Sequence, residues 1–412
     1  MIRLFLSLLL FTPLVLAKSP KAPPHLDLEL SSAEYTKLLE QSHLTFLEAD
    51  PLKQIVQVGK RNLQWLEFMN AHRDSQHQLR LTTPGSLIGY PIEKPKKYSD
   101  QTITIEFSDL KKSLPAEMQK VIIDNKDFSQ NPPVDEATYL EWARTTDKLY
   151  QTAVRWLLMK PYLEYLKEQK RLDVRGIYFL SQEPDLNKTL SQWSSLTNEK
   201  KAQYRDWLLQ VCFNDKGLYQ KCQSQLKEAE KNNRLFQFFE TSRPGALQLW
   251  ERFFKIPTLR SDVLWTSSMP NLMTVPFLDP GNPKLKNFLQ TNIEDEWRTQ
   301  SWNLKLDFRF TDDVDSIPHL EFEPGVTPHV NGLAGNTITM DANAPLEEWD
   351  VRWIIRHEYG HILGLPDCYT EFWEPSENLI VSYQLDTQNL MCSRMGKFLP
   401  LHFDELKGAY FK

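Results

Sequence analysis

The sequence predicts an α+β protein, in which a mainly helical N-terminal region precedes a unit of a few strands and one long helix. Three observations carry this. From Ser31 to about Trp250 apolar residues recur at spacings of three and four, as on the buried face of a helix. Pro244, Pro257, Pro270, Pro276, Pro280 and Pro283 then crowd a stretch that reads as a change of unit. Beyond it Leu304, Leu306, Phe308 and Phe310 alternate strictly, as a half-buried strand does, and the strands come before a long helix without regular alternation.

Taken in order, Ser31 and Glu34 form a capping box ahead of Tyr35, Leu38, Leu39, Leu44, Phe46 and Leu47. Ile55, Val58, Leu63, Leu66 and Met69 mark a second helix. From 79 to 107, Pro84, Gly85, Gly89, Pro91 and Pro95 signal turns and 102–107 alternates as a short strand, so the stretch reads as a small β insertion or a long connection. The strongest helical stripe follows, through Tyr139, Ala143, Tyr150, Val154 and Leu157, up to a kink at Pro161. Helices are expected at 199–212 and 218–231. The change of unit between Phe239 and Pro283 divides the chain into an N-terminal region, 18–243, and a C-terminal unit, 244–412. The latter opens with a helix at 285–297, continues with strands at 304–310, 319–322 and 337–340, and reaches a helix at about 345–363.

A chain of 412 residues exceeds one ordinary core and admits two or three domains. With 41% hydrophobic and 25% charged residues it belongs with folded proteins, not disordered or fibrous ones. A formal charge of -6 supplies no basic surface to neutralise phosphates, so nucleic acid is not an expected partner. Residues 1–17 read as an export signal: Arg3 gives the positive start, the run to Leu16 is almost continuously apolar, and Ala17 suits cleavage. That run is short of the roughly 20 residues a spanning helix needs, and Pro13 interrupts it. Secretion, extracellular or periplasmic, without a membrane span is the expectation. Four cysteines fit an oxidising compartment, and the simplest pairing is local, Cys212 with Cys222 and Cys368 with Cys392. A cysteine acting on a metal is the competing role.

The chemistry concentrates in His357-Glu358-Tyr359-Gly360-His361-Ile362-Leu363-Gly364-Leu365-Pro366-Asp367. Residues four apart on a helix lie one turn above each other, so His357 and His361 offer imidazole nitrogens to one ion, and Glu358 stands where it accepts a proton from metal-bound water. Gly364 suits a helix that must stop and turn sharply, Pro366 opposes its continuation, and Asp367 is the natural third ligand, leaving a fourth position for water or substrate. The expected ion is Zn2+. By chance, the HExxH pattern alone arises in about one such chain in a hundred.

HEYGHILGLPD resembles the HExxHxxGxxH/D signature of the metzincin zinc peptidases in its aspartate variant, and HILGLPDCY is most similar to the snapalysin-type bacterial neutral peptidases. The resemblance implies a metzincin-like catalytic domain with a small mixed sheet and a zinc-binding helix. It also implies a methionine turn below the metal, which Asn389-Leu390-Met391-Cys392 resembles, with Met395 as the fallback. It casts the 337–340 strand as the sheet edge that pairs with an extended substrate, and Tyr369 as a catalytic phenol that stabilises the oxyanion. The activity so implied is endopeptidase hydrolysis of a protein or peptide substrate, with Glu358 as general base. Two alternatives stay open: a downstream glutamate, Glu371, Glu374 or Glu377, as third ligand, and a non-catalytic binding protein with a structural zinc. The N-terminal region is equally an accessory domain or a removable inhibitory segment, and the oligomeric state is unspecified.

Overall fold

A computed structural model describes residues 21–24, 26–42, 52–81 and 89–412. The expected export signal and the turn residues Pro84 and Gly85 lie outside this range, as do Leu44, Phe46 and Leu47. The molecule is α+β, mostly helical with small sheets.

Helices α1 (Ser32–Gln41) and α2 (Leu52–Asn70) open the described chain, the first with the expected Ser31–Glu34 capping box. Strand β1 (Lys96–Tyr98) leads into α3 (Asp100–Ser113), where a strand was expected over 102–107. The β-branched alternation is overridden by a reciprocal cap between Ser99 and Thr102 and by Ile103, Phe107 and Leu110, which bury one helical face while Ile105 stays 54% exposed. Then come α4 (Ala116–Ile122) and the long α5 (Glu136–Met159), whose stripe of Tyr139, Ala143, Tyr150 and Val154 is fully buried. A short 3-10 turn at Lys160–Tyr162 marks the Pro161 break before α6 (Leu163–Glu168). These elements enclose one core, with Trp65 and Trp156 among its anchors, and Ile380 from the far end of the chain completes it.

A second core begins with α7 (Arg175–Gln182), α8 (Leu186–Ser191), α9 (Asn198–Lys216), α10 (Tyr219–Lys231) and α11 (Leu235–Glu251). The Cys212–Cys222 disulfide ties the α9–α10 hairpin as expected. Pro244, one of the prolines read as a change of unit, sits inside α11, where Phe239, Ala246 and Leu249 remain buried. Strand β2 (Leu272–Leu278), hidden from pattern reading by Pro276, runs parallel to β3 (Asn303–Arg309). Between them α12 (Pro283–Leu289) continues into a π turn at Gln290–Glu294. Strands β4 (His319–Glu323), β5 (His329–Val330) and β6 (Thr337–Asp341) form a second small sheet.

In that sheet β6 is central, parallel to β4 on one side and antiparallel to the two-residue β5 on the other. The expectation of 337–340 as the sheet edge is therefore corrected: β5 lies outside it, and two residues after Pro328 are too few to leave a pattern. Helix α13 (Trp349–Ile362) follows, then β7 (Tyr369–Glu374), β8 (Leu379–Gln384) and α14 (Pro400–Tyr410). Strand β1 pairs antiparallel with β8, giving the order β1-β8-β7. The helical region thus supplies a strand to the sheet that starts two residues after Asp367. Ile355, Tyr359, Ile362 and Leu363 of the α13 segment join α7–α11 and residues of all three small sheets in one continuous core.

Candidate functional site

The two histidines of α13 point the same way because they are one turn apart, and their ring centroids lie 4.8 Å from each other, nearly perpendicular. Each ring is held from behind by a backbone carbonyl. His357 Nδ1 is 2.9 Å from Leu390 O, and His361 Nδ1 is 2.8 Å from Leu365 O. A carbonyl only accepts, so each Nδ1 carries hydrogen in the neutral ring and each Nε2 presents a lone pair outward.

Asp367 closes the group. Its Oδ1 is 3.1 Å from His357 Nε2 and 3.3 Å from His361 Nε2, and the three donor atoms all lie within 4.8 Å of one another. These nitrogen–oxygen separations match the edge of a tetrahedron with metal–ligand bonds of about 2.0 Å. The sharp return that brings Asp367 here depends on Gly364, at φ +85°, where an added Cβ would fall 2.4 Å from Thr258 O. Only glycine takes that conformation at that distance without strain.

The floor is Met391. A Cβ on Gly360 would come within 2.2 Å of the Met391 sulfur, so the side chain fills the gap under α13 between the two histidines, and the fallback, Met395, is not the residue that does so. Met391 is fixed by its own backbone: its N–H donates to Asn389 Oδ1 at 2.8 Å, and its carbonyl accepts from Cys368 N at 3.0 Å. The Cys368–Cys392 disulfide then links the residue after Asp367 to the residue after Met391. The turn that carries Asp367 and the loop under both histidines are one covalent unit.

Glu358 is buried beside this group, and its Oε2 has no hydrogen-bond partner among the described residues. Burial raises its pKa against the pull of His357 and His361, with Asp367 and Asp27 pushing the same way as burial. For His357 burial disfavours the cation, but the Asp367 hydrogen bond and the charge of Glu358 outweigh it and raise the pKa to about 10. Asp367 falls well below the carboxylate range: burial opposes this, and the His361 charge and the hydrogen bonds from both imidazoles overcome it. When both imidazoles are neutral, the carboxylates of Glu358 and Asp367 leave a net negative charge in a buried place, which a divalent cation balances.

Tyr369, at the start of β7, is half-buried. Burial is the first cause of its strongly raised pKa, and the charges of Asp367, Asp27 and Glu358 follow, which puts its phenol in the same electrostatic neighbourhood. The three alternative glutamates are engaged elsewhere: Glu371 with Arg155 at 2.8 Å, Glu374 with Arg171 at 2.8 Å and Glu377 with Lys97 at 2.6 Å.

Sequence reading missed a strip of the N-terminal region that lies against this site. Asp27 Oδ2 accepts from Arg394 Nε at 2.9 Å, Arg394 also forks onto Glu34 at 3.0 and 3.1 Å, and Glu29 accepts from Ser393 Oγ at 3.0 Å. Arg155 donates to the carbonyls of Asp27 and Leu26 while holding Glu371. Burial works to raise the Asp27 pKa, but Arg394 and then His357 outweigh it and hold it at about 2. Asp27 and Arg394 are 367 positions apart, and no local pattern joins them.

No protein-family model matches this chain, and neither does any curated protein or solved structure.

Proposed function

We propose that this protein is a secreted, zinc-dependent endopeptidase. The observation that carries the reading is the convergence of His357, His361 and Asp367 within 4.8 Å, with buried Glu358 beside them, its Oε2 without a hydrogen-bond partner among the described residues. A purely structural zinc has no use for such a group. The likeness of HEYGHILGLPD to the metzincin signature supports the same reading, and so does Met391 packed under Gly360.

In this reading His357, His361 and Asp367 hold the ion. When bound, zinc polarises the scissile carbonyl and acidifies water. Glu358 would take a proton from the attacking water as the water oxygen bonds to the carbonyl carbon, then pass the proton to the amine as the C–N bond breaks. Tyr369 donates a hydrogen bond to the developing oxyanion. The two disulfides support export to an oxidising compartment. Among the described residues no helix is long and apolar enough to cross a membrane.

The test measures zinc content and casein hydrolysis for the wild-type protein and its Glu358→Ala variant. Zinc in both with hydrolysis only by the wild type is the expected result. Zinc in both with hydrolysis by neither favours a non-catalytic binding protein or a latent form, for which the strip carrying Asp27 beside His357 is the specific observation. Absence of zinc from both overturns the reading.

A further inference from the structure

A cleft of about 670 Å³, away from the metal-binding group, opens between α7, α11, α14 and the loop after β8. One wall is aromatic. Tyr178 stacks on Trp250 with centroids 5.8 Å apart and planes 24° apart, and Phe254 leans on Trp250 at 5.4 Å. All three rings are only half-buried, so part of this surface faces solvent.

The charged side chains of the lining are mostly acidic. Glu93, Asp386, Asp404 and Glu405 face one cation, Lys255, which Glu405 already pairs at 2.8 Å. Among the described residues Glu93, Asp386 and Asp404 form no ion pair; Glu93 accepts a hydrogen bond from the Tyr178 hydroxyl, and Asp386 accepts one from Gln388 N. The Tyr178 phenol is raised by burial and by Glu93 and Asp386, as an uncompensated negative field requires. Five separate stretches of chain contribute to the lining, and the volume suits a few residues of polypeptide.

We propose that this cleft binds a basic polypeptide segment, seating an arginine side chain against Trp250 and Tyr178 and within reach of Asp386 and Asp404. A planar guanidinium stacks on aromatic faces and pairs with carboxylates in a fixed fork, so it satisfies both walls at once; an acidic or neutral segment satisfies at most one. The position adds a consequence. Residues Leu385 to Gln388 line the cleft and lead directly into Asn389-Leu390-Met391, whose Leu390 carbonyl orients His357. An occupant is thereby recognised away from the bond to be cut, as an exosite. That role rests on the peptidase reading above; the binding itself does not.

The experiment titrates the full chain carrying Glu358→Gln with a blocked peptide of two arginines flanked by glycines, and with the same peptide carrying glutamates, by calorimetry. The arginine peptide should bind, the glutamate peptide should not, and Asp404→Lys, at an exposed position on α14, should weaken binding by at least about tenfold while leaving the thermal midpoint unchanged. Trp250→Leu should weaken it in the same direction. Equal binding of the two peptides, no binding of either, or an unchanged affinity in Asp404→Lys overturns the proposal. Casein hydrolysis by the wild-type chain without arginine binding sinks the cleft and leaves the peptidase; arginine binding without hydrolysis leaves the cleft and sinks its role as an exosite.

Discussion

Asp367 and Glu371 lie four residues apart, yet one faces two imidazoles and the other faces Arg155. Asp367→Ala should therefore abolish metal retention after dialysis, whereas Glu371→Gln should keep the metal. Elemental analysis of the two dialysed variants decides it, and the reverse pattern would move the third ligand to Glu371. Gly364 is the other residue on which the site turns. Gly364→Ala forces a side chain into positive φ and against Thr258 O, and should destabilise the fold by about 2 kcal/mol or more, read as a fall in thermal midpoint. Both residues were legible in the sequence because their roles are local: helical spacing fixes the histidines, and a glycine followed by a proline fixes the stop. Asp27, Glu29 and Arg394 were not, because a buried ion pair is made by tertiary proximity and its members carry no mark that separates them from surface charges.

At the scale of elements, legibility followed the length of the pattern. The long stripe of α5 was read correctly, and so was the alternation of β3 through Leu304, Leu306 and Phe308; Phe310, expected to continue it, lies beyond the end of the strand and is 81% exposed. A short or interrupted pattern does not suffice: the stretch 102–107 in α3 imitates a strand until its cap and its three buried groups are seen together, and β2 is masked by a proline its position tolerates. The loop under the histidines has its own support, invisible in any pattern. His402 on α14 sits 2.8 Å from Asn389 Oδ1 through Nε2 and accepts from Leu399 N through Nδ1, so it is held neutral, and burial lowers its pKa from 6.5 to about 4. The unfolded chain binds this proton first as pH falls. The stabilisation is accordingly full above about 6.5 and lost progressively down to about 4, roughly 3 kcal/mol in all. Denaturant unfolding across that window should show the loss, and His402→Gln should flatten it; an unchanged pH dependence in the variant would remove His402 as the cause.

For the whole molecule, the question is why two cores behave as one structure. Strand β1 joins the sheet of β7 and β8, Ile380 of β8 completes the first core, and Arg394 reaches from the loop beyond Met391 to Asp27 and Glu34. Arg394 is only 3% exposed, so its removal leaves two partly buried carboxylates, Asp27 and Glu34, without their shared cation. Arg394→Ala should cost about 3 kcal/mol and expose the strip at 26–30 to limited proteolysis before either core opens. Adding Asp27→Asn should recover part of that loss, because one of the stranded charges is gone, and the double-mutant cycle should give a coupling clearly different from zero. Simple additivity of the two changes would mean that the strip is held by its backbone contacts to Arg155 instead. The proteolysis pattern then bears on the site itself, since Asp27 acts electrostatically on His357: if trimming the strip raises casein hydrolysis, the segment restrains the site, and if trimming abolishes it, the same residues are part of the working enzyme.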